Sequence, residues 1–258
     1  MIAYFAVKAG KLFLKQLLEA RLRLSIPASP EDLFSDLWNF CRHYKWLFAL
    51  REYFANPLDL PLQNLVFKIV IEVVRDKYQA YKPKISVRTG EDISTLFNIE
   101  EKIIVVTIHT AVSSIMIEIL QDLGIKASLI MRSEVGLLGS NSKIDVILRS
   151  QDVFLIARRK LKEGRVICCC ADEISMDNQL YVGTGIFDFA NKMDAKIIYF
   201  IPQISDEGEV FIDLAAINNI REKLSSVDVA QDFVSFINAA LEKKKTLKVS
   251  SWRRENKL

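Results

Sequence analysis

The chain has 258 residues, half of them hydrophobic, and its 35 Lys and Arg against 32 Asp and Glu give a net charge of +3. This composition excludes a disordered chain, because the apolar surface is large enough to offset the entropy lost on folding. The mean hydropathy of +0.16 is high. However, the sequence has no run of about 18 consecutive apolar residues, so a membrane-spanning helix is not expected.

The first part of the chain has the periodicity of helices. Residues 2–24 place apolar side chains near one face and lysines outside it, which predicts an amphipathic basic helix. Such a helix either packs on the core or lies on a membrane surface. Two further helices are predicted, one beginning at Ser29 with Pro30 in its first turn and one over 62–78. We therefore expect an N-terminal helical layer over residues 1–95.

From Lys102 onward, short apolar runs alternate with helical segments. Continuous apolar strands separated by helices are typical of a mostly parallel sheet that helices cover on both faces. The predicted fold class is therefore α/β, with an α/β domain over 96–240 and a basic tail over 241–258. The predicted strands are 102–108, 126–131, 165–170 and 196–201, with an edge strand at 210–214. The predicted helices are 111–123, 146–160, 185–192 and 227–244.

Three of the four cysteines are consecutive, at positions 168–170. Neighbours in a strand point to opposite faces, so this run predicts neither a disulfide framework nor a zinc site. With two histidines in the chain, a metal site is not expected. We interpret the run as core packing, since apolar burial raises the pKa of a thiol. A reducing compartment is the simplest setting for such cysteines.

Polar residues follow the predicted strands at their carboxyl ends, where open α/β sheets bind ligands. His109 follows the first of these strands, and Asp172 and Glu173 follow the cysteine strand. A neutral imidazole at such a place can remove a proton from a hydroxyl or an amine. Alternatively, His109 simply ends its strand, and the two carboxylates cap a turn or face solvent.

Two further segments suit an anionic group. Arg132 and Ser133 could bind a phosphate on a lipid or on the phosphopantetheine arm of a carrier, because guanidinium matches phosphate geometry. Gly183, Thr184 and Gly185 allow close backbone approach before the N-terminus of a helix. The alternatives are a surface arginine in the first segment and an ordinary turn in the second.

The order of these segments resembles that of the lysophospholipid acyltransferase superfamily, and within it the late acyltransferases of lipid A biosynthesis. The matching segments are TIHTAVSS at 107–114, LIMRSE at 129–134, EGRVICCCADE at 163–173 and VGTGIFDFANKMDAKIIYFIP at 182–202. The resemblance covers about residues 95–215. It implies His109 as general base and a donor thioester on a phosphopantetheine carrier or coenzyme A, with no bound cofactor.

The chain departs from this family where the pattern His-x-x-x-x-Asp/Glu would place an acid. That carboxylate would orient the imidazole and stabilise its protonated form, whereas this chain has Ser114. Ser113 or Ser114 can orient the ring, but a hydroxyl cannot balance its charge. Three explanations stay open: Asp172 or Glu173 approaches in space, easier chemistry such as that of an aminoacyl thioester needs less help, or catalysis has been lost.

By this resemblance, we expect a transferase that moves an acyl or aminoacyl group from a carrier-protein thioester to a lipid A-type or phospholipid acceptor. Lipid A glycyltransferases, which are similar to this family, make an aminoacyl group plausible. The alternatives are a catalytically silent relative that binds a carrier or a lipid, and a soluble acyltransferase of a secondary-metabolite pathway.

The charge of the tail predicts where such a protein works. Residues 241–258 carry seven Lys and Arg against two Glu, beside Trp252. A basic patch of this kind suits an anionic membrane surface, at about 1 kcal/mol per basic residue, or an acidic acyl or aminoacyl carrier protein; a solvated tail is the alternative. We expect a peripheral protein at the cytoplasmic face of the inner membrane. Nucleic-acid binding is not expected, because the charge is confined to one end.

Overall fold

The structure is a computed structural model. It describes residues 2–24, 29–43, 62–88, 93–98, 100–109, 113, 115–131, 145–174, 180–205, 207–217, 224–240 and 248–250. The chain divides into two compact units, the first built mainly from the residues up to Ser86 and the second from Val87 onward, with Gln203–Phe211 counted in the first. The predicted boundaries after residues 95 and 240 stay predictions.

The first unit contains three helices: α1 (Ile2–Leu24), α2 (Pro30–His43) and α3 (Leu62–Lys77). The predicted start of α2 is confirmed. Ser29 Oγ accepts a hydrogen bond from the backbone N–H of Asp32 at 3.0 Å, which satisfies a donor that the first helical turn leaves unpaired. The N-terminal helical region that the sequence predicts is therefore present.

An aromatic cluster fills the core of the first unit. Phe34 stacks on Trp38 with ring centroids 6.1 Å apart and meets Phe67 edge-on at 5.6 Å. The turn at Gly208 has a φ of 84°, and a Cβ there would lie 2.9 Å from Phe34 Cε1. A larger residue would strain the backbone and collide with the ring, so this turn requires glycine.

The fold is α/β, as predicted, with a seven-stranded sheet flanked by helices. The strands are β1 (Ile85–Arg88), β2 (Ile103–Thr107), β3 (Ala127–Met131), β4 (Asp145–Leu148), β5 (Val166–Cys170), β8 (Lys196–Ile204) and β9 (Val210–Ile217). Their order is β1-β9-β8-β2-β5-β3-β4. The pairs β2–β5, β2–β8, β3–β4 and β3–β5 are parallel. Every residue of β2 is buried, as expected for a strand whose two faces are both covered.

A second, three-stranded sheet and five helices complete the described elements of the chain. The small sheet has the order β10-β7-β6 and consists of β6 (Asp172–Ile174), β7 (Leu180–Gly183) and β10 (Lys248–Ser250). The helices are α4 (Ile93–Leu96), α5 (Ile115–Asp122), α6 (Val153–Lys162), α7 (Gly185–Met193) and α8 (Ser226–Ala240).

Two sequence predictions about these elements are wrong. The helix predicted over 146–160 begins only at Val153, and Asp145–Leu148 is a strand that pairs with β3. Its three apolar residues, 146–148, are too few to be assigned to helix or strand from periodicity alone. The strand predicted at the sheet edge over 210–214 extends to Ile217 and is interior, because the unpredicted β1 pairs with its outer side.

Part of the basic tail belongs to the small sheet. Within residues 241–258 the structure describes Lys248–Ser250, which pair in parallel with β7, Lys248 lying opposite Tyr181. The other residues of the tail lie outside the described part of the chain. Among the described helices, none combines the length and the apolar character needed to cross a membrane.

Candidate functional site

The parallel pairing of β2 with β5 brings His109 and Asp172 together. In this register Thr107 lies opposite Cys170, so the residues two positions further along each chain also come side by side. Asp172 Oδ1 accepts the backbone N–H of His109 at 2.7 Å and lies 3.0 Å from Nδ1 of the same residue. The Asp172 side chain is 2% exposed and that of His109 is 69% exposed. A buried carboxylate therefore holds an imidazole that faces solvent.

The contact with Asp172 determines the protonation of the ring. An ionised carboxylate only accepts hydrogen bonds, so Nδ1 carries the proton that it shares with Asp172, and Nε2 is the nitrogen left to exchange a proton. The hydrogen bond to Asp172 is the largest influence on His109, followed by the nearby thiol of Cys170, and together they raise the pKa of His109 above its ordinary value of 6.5. Neighbouring negative charge favours the protonated ring.

Cys170 is the third member of this cluster. A donor atom of its side chain lies within 4.8 Å of donor atoms of His109 and Asp172. Burial raises the pKa of the Cys170 thiol and the neighbouring His109 lowers it, with a net shift upward. Cys168 and Cys169 are buried, whereas Cys170 is only half-buried. The interpretation of the run as core packing therefore describes the first two thiols better than the third.

The same three side chains are the set that could hold a metal ion in the described part of the chain. One donor atom each from His109, Cys170 and Asp172 lie within 4.8 Å of one another, and imidazole, thiolate and carboxylate are zinc ligands. A metal bound at Nδ1 would displace the proton that His109 shares with Asp172. The hydrogen-bonded arrangement fits the geometry better, because Asp172 Oδ1 already accepts two N–H groups.

Thr107 adds an unpaired hydroxyl next to this cluster. Its side chain is fully buried, and Oγ1 has no hydrogen-bond partner among the residues that the structure describes. Because Thr107 lies opposite Cys170 in the ladder, the two side chains project from the same face of the sheet. We define Thr107, His109, Cys170 and Asp172 as the carboxyl-end cluster.

The structure places the other predicted site residues as follows. Ser113 Oγ donates a hydrogen bond to the carbonyl oxygen of Ile108 at 2.7 Å. The backbone of Glu173 lies in β6, but its side chain is outside the described part of the chain, as are Ser114, Arg132 and Ser133.

The predicted glycine segment begins beside the residue that precedes Asp172. The backbone N–H of Gly183 donates to the carbonyl oxygen of Ala171 at 2.9 Å. Thr184 precedes α7 without a capping hydrogen bond from its side chain, and a Cβ on Gly185 would meet Phe154 at an ordinary distance of 3.8 Å. The small sheet thus brings this segment close to the carboxyl-end cluster.

Sequence reasoning did not identify Thr107 and Cys170 as members of the site. A signal was present, because each lies two positions before a histidine or an aspartate at the carboxyl end of a predicted strand. What was lacking was the register that pairs the two runs. Comparison of the chain with models of known protein families and with curated proteins finds no match.

Proposed function

We propose that the protein is an acyl-type transferase in which His109 removes a proton from the acceptor hydroxyl or amine. One observation carries this proposal: the solvent-facing imidazole of His109 is held through Nδ1 by the buried carboxylate of Asp172. This is the arrangement of a general base with an orienting acid. Nε2 is then available to accept a proton from the acceptor, because the buried carboxylate of Asp172 keeps the proton of the neutral ring on Nδ1.

The carboxylate of Asp172 supplies what Ser114 cannot. Of the three explanations for the altered motif, the geometry supports the first, in which an acid from later in the sequence approaches His109 in space. The catalytically silent alternative depends on the absence of such an acid. The contact of Asp172 with His109 therefore favours an active enzyme.

The reaction that we propose proceeds as follows. The acceptor oxygen or nitrogen attacks the carbonyl carbon of a thioester, Nε2 of His109 takes the acceptor's proton, and Asp172 stabilises the imidazolium that forms. The bond from the carbonyl carbon to sulfur then breaks, and the proton passes from His109 to the leaving thiolate. The transferred acyl or aminoacyl group ends on the acceptor, and the carrier is released as its free thiol.

The identities of donor and acceptor in this proposal come from the resemblance in order and spacing. The donor is an acyl or aminoacyl carrier protein, or coenzyme A, and the acceptor is a lipid A-type lipid or a phospholipid. The basic residues of 241–258 would meet the anionic membrane or the carrier at the cytoplasmic face of the inner membrane.

The test compares lipids from a Gram-negative host that expresses the chain together with a carrier and its loading enzyme. Lipid A and phospholipids are extracted from hosts that express the wild-type protein, His109→Ala or His43→Ala, and their masses are measured by mass spectrometry. His43→Ala is the control, because it alters the other histidine of the chain. We expect a mass increase with the wild type and with His43→Ala, and none with His109→Ala. The size of the increase separates fatty acyl from aminoacyl groups. Unchanged lipids with folded wild-type protein, or an equal increase with His109→Ala, would overturn the proposal.

A further inference from the structure

We propose that Cys170 is a nucleophile that carries the transferred group as a thioester between donor and acceptor. This inference rests on the proposed function and deepens it, since it divides the transfer into two half-reactions. A nucleophile that acts through a base needs the base within hydrogen-bonding reach and a third group that orients the base. The carboxyl-end cluster brings these three groups together: one donor atom each of Cys170, His109 and Asp172 lies within 4.8 Å of the others, and Asp172 Oδ1 lies 3.0 Å from His109 Nδ1.

The placement of Cys170 in β5 distinguishes it from its neighbours. Cys168 and Cys169 are 0% and 4% exposed, whereas Cys170 is half-buried and is the last residue of the strand. It therefore lies at the carboxyl end of the parallel sheet, where α/β folds bind their ligands. Of these three thiols, only Cys170 combines partial exposure with a position within 4.8 Å of donor atoms of His109 and Asp172, so the three consecutive thiols are not equivalent.

The hydroxyl of Thr107 gives independent support. A fully buried side-chain oxygen without a partner is uncommon in proteins and calls for an explanation. Thr107 lies opposite Cys170, and neighbouring strands are about 4.8 Å apart. Both side chains project from the same face of the sheet. In the proposed reaction the hydroxyl donates to the sulfur when a thiolate forms, which would satisfy Oγ1 and stabilise the charge on Cys170.

Both half-reactions are balanced. In the first, Cys170 Sγ attacks the thioester carbonyl carbon, His109 takes the thiol proton, the bond to the donor sulfur breaks, and the proton passes to that sulfur. In the second, the acceptor oxygen or nitrogen attacks the carbonyl carbon on Cys170, and His109 takes the acceptor's proton. The bond to Cys170 Sγ then breaks, and the proton returns to the thiol. No oxidant, reductant or metal is consumed.

The experiment uses the full chain and a small donor, so that neither a carrier nor a lipid is needed. The protein is mixed with S-acetyl or S-glycyl N-acetylcysteamine, quenched in acid within the first turnover and weighed intact by mass spectrometry, and the labelled peptide is then sequenced. We expect an added acetyl or glycyl mass on Cys170 that hydroxylamine removes. Cys168→Ala and Cys169→Ala are the matched controls and should keep the adduct, whereas Cys170→Ala and Cys170→Ser should lose this thioester.

His109→Ala tests the base without altering the strand. Its adduct should form about 10²-fold more slowly or worse, the range for loss of a general base, while thermal unfolding of each variant reports whether it is folded. Absence of an adduct on the folded wild type, or an adduct on a residue other than Cys170, would overturn the inference. If lipid transfer by the wild type were nevertheless observed and Cys170→Ala retained it, the proposed function would stand with direct transfer. An adduct on Cys170 without lipid transfer would support the inference and would show that the acceptor named in the proposed function is wrong.

Discussion

The two ends of the parallel sheet hold polar clusters of opposite character. At the amino ends of β3, β4 and β5, Ser128, Asp145, Lys160 and Arg165 form what we define as the amino-end network. Asp145 Oδ2 accepts from Ser128 Oγ at 2.7 Å and lies 3.0 Å from Lys160 Nζ and 3.2 Å from Arg165 Nε. At the carboxyl ends, the carboxyl-end cluster combines an exposed imidazole, a half-buried thiol and an unpaired hydroxyl.

The difference lies in how completely the charges are balanced. Burial raises the pKa of Asp145, but hydrogen bonds from Ser128 and Lys160 and the charge of Arg165 outweigh it, so the net shift is downward. That carboxylate stays ionised and has no proton to exchange near neutral pH. In the other cluster one carboxylate faces an imidazole and a thiol, each of which can gain or lose a proton. The comparison shows two uses of polar groups at a sheet end. A network whose charges are fully balanced stabilises the sheet, whereas a cluster whose groups can gain or lose a proton can take part in proton transfer.

The largest effect should come from His109→Ala. Removal of the base should lower kcat/KM for transfer by about 10²- to 10⁴-fold. The free energy of unfolding should fall modestly near neutral pH, because the buried carboxylate of Asp172 keeps the backbone N–H of His109 but loses the imidazole. Transfer assays with a thioester donor and thermal unfolding of the same samples measure both quantities. A loss below about tenfold would contradict the role of His109 as the base.

Asp172→Asn should shift the pH dependence of the same reaction. Because Asp172 raises the pKa of His109 above 6.5, the wild-type rate should rise with pH through and beyond neutrality as the ring loses its proton. In Asp172→Asn the pKa falls back toward 6.5, so the plateau should be reached at lower pH, with a lower maximal rate because the imidazolium loses its stabilising charge.

The same variant gives a stability test with a defined sign. A raised pKa in the folded state means that the His109–Asp172 pair stabilises the protein fully below pH 6.5, and that this contribution is lost as the pH rises through the folded-state pKa. The difference in the free energy of unfolding between wild type and Asp172→Asn should therefore be larger near pH 6 than at alkaline pH. Chemical denaturation at both pH values measures it, and an equal or reversed difference would contradict the assignment.

Asp145→Ala should affect stability and leave the chemistry intact. It removes the acceptor shared by Ser128, Lys160 and Arg165, and hydrogen bonds to charged groups contribute about 1.5–3 kcal/mol each. These contributions do not add, because Asp145 is partly exposed and Ser128 and Arg165 keep the hydrogen bond between them. We therefore expect a loss of about 2–3 kcal/mol in the free energy of unfolding. Transfer at a temperature where the variant is folded should match the wild type. A loss of activity without a loss of stability would contradict the claim that the amino-end network stabilises the sheet and takes no part in the reaction.

The smallest effect should come from Arg159→Gln, next to Lys160 on α6. Arg159 lies 3.9 Å from Glu163 with both side chains well exposed, at 71% and 49%. Exposed pairs of this kind contribute about 0.3–0.5 kcal/mol. Denaturant titration of this variant beside Asp145→Ala would show whether the amino-end network, rather than positive charge on α6 in general, stabilises the sheet.

The sequence predicts the parallel core because β2, β3, β5 and β8 are continuous apolar runs with few polar interruptions. It does not predict β1, β6, β7 and β10, which have three or four residues each. Such short segments carry too few positions for a period to emerge, and they form strands because a neighbour offers a partner. The wrong prediction of a helix at β4 has the same cause, since this short segment is a strand because it pairs with β3.

For the site, the sequence identifies the candidate residues, and the register of the strands determines which of them meet. His109 and the later acids could be named from their places after strands, but the acid that meets His109 depends on which residues β2 and β5 place opposite each other. The sequence gives Cys170 the same interpretation as its buried neighbours, because a run of identical residues gives no sign of which one is exposed. Strand pairing over 63 positions of sequence cannot be derived from local periodicity.

The most direct test of the account is an NMR titration of His109 in the wild type and in Asp172→Asn, with imidazole nitrogens labelled. The chain has two histidines, so His43→Ala assigns the signals. The account predicts that His109 carries its proton on Nδ1 when neutral, that its pKa lies above 6.5, and that Asp172→Asn lowers this pKa. A wild-type pKa at or below 6.5 that is unchanged in Asp172→Asn would contradict the claim that the buried carboxylate sets the chemistry of the exposed imidazole.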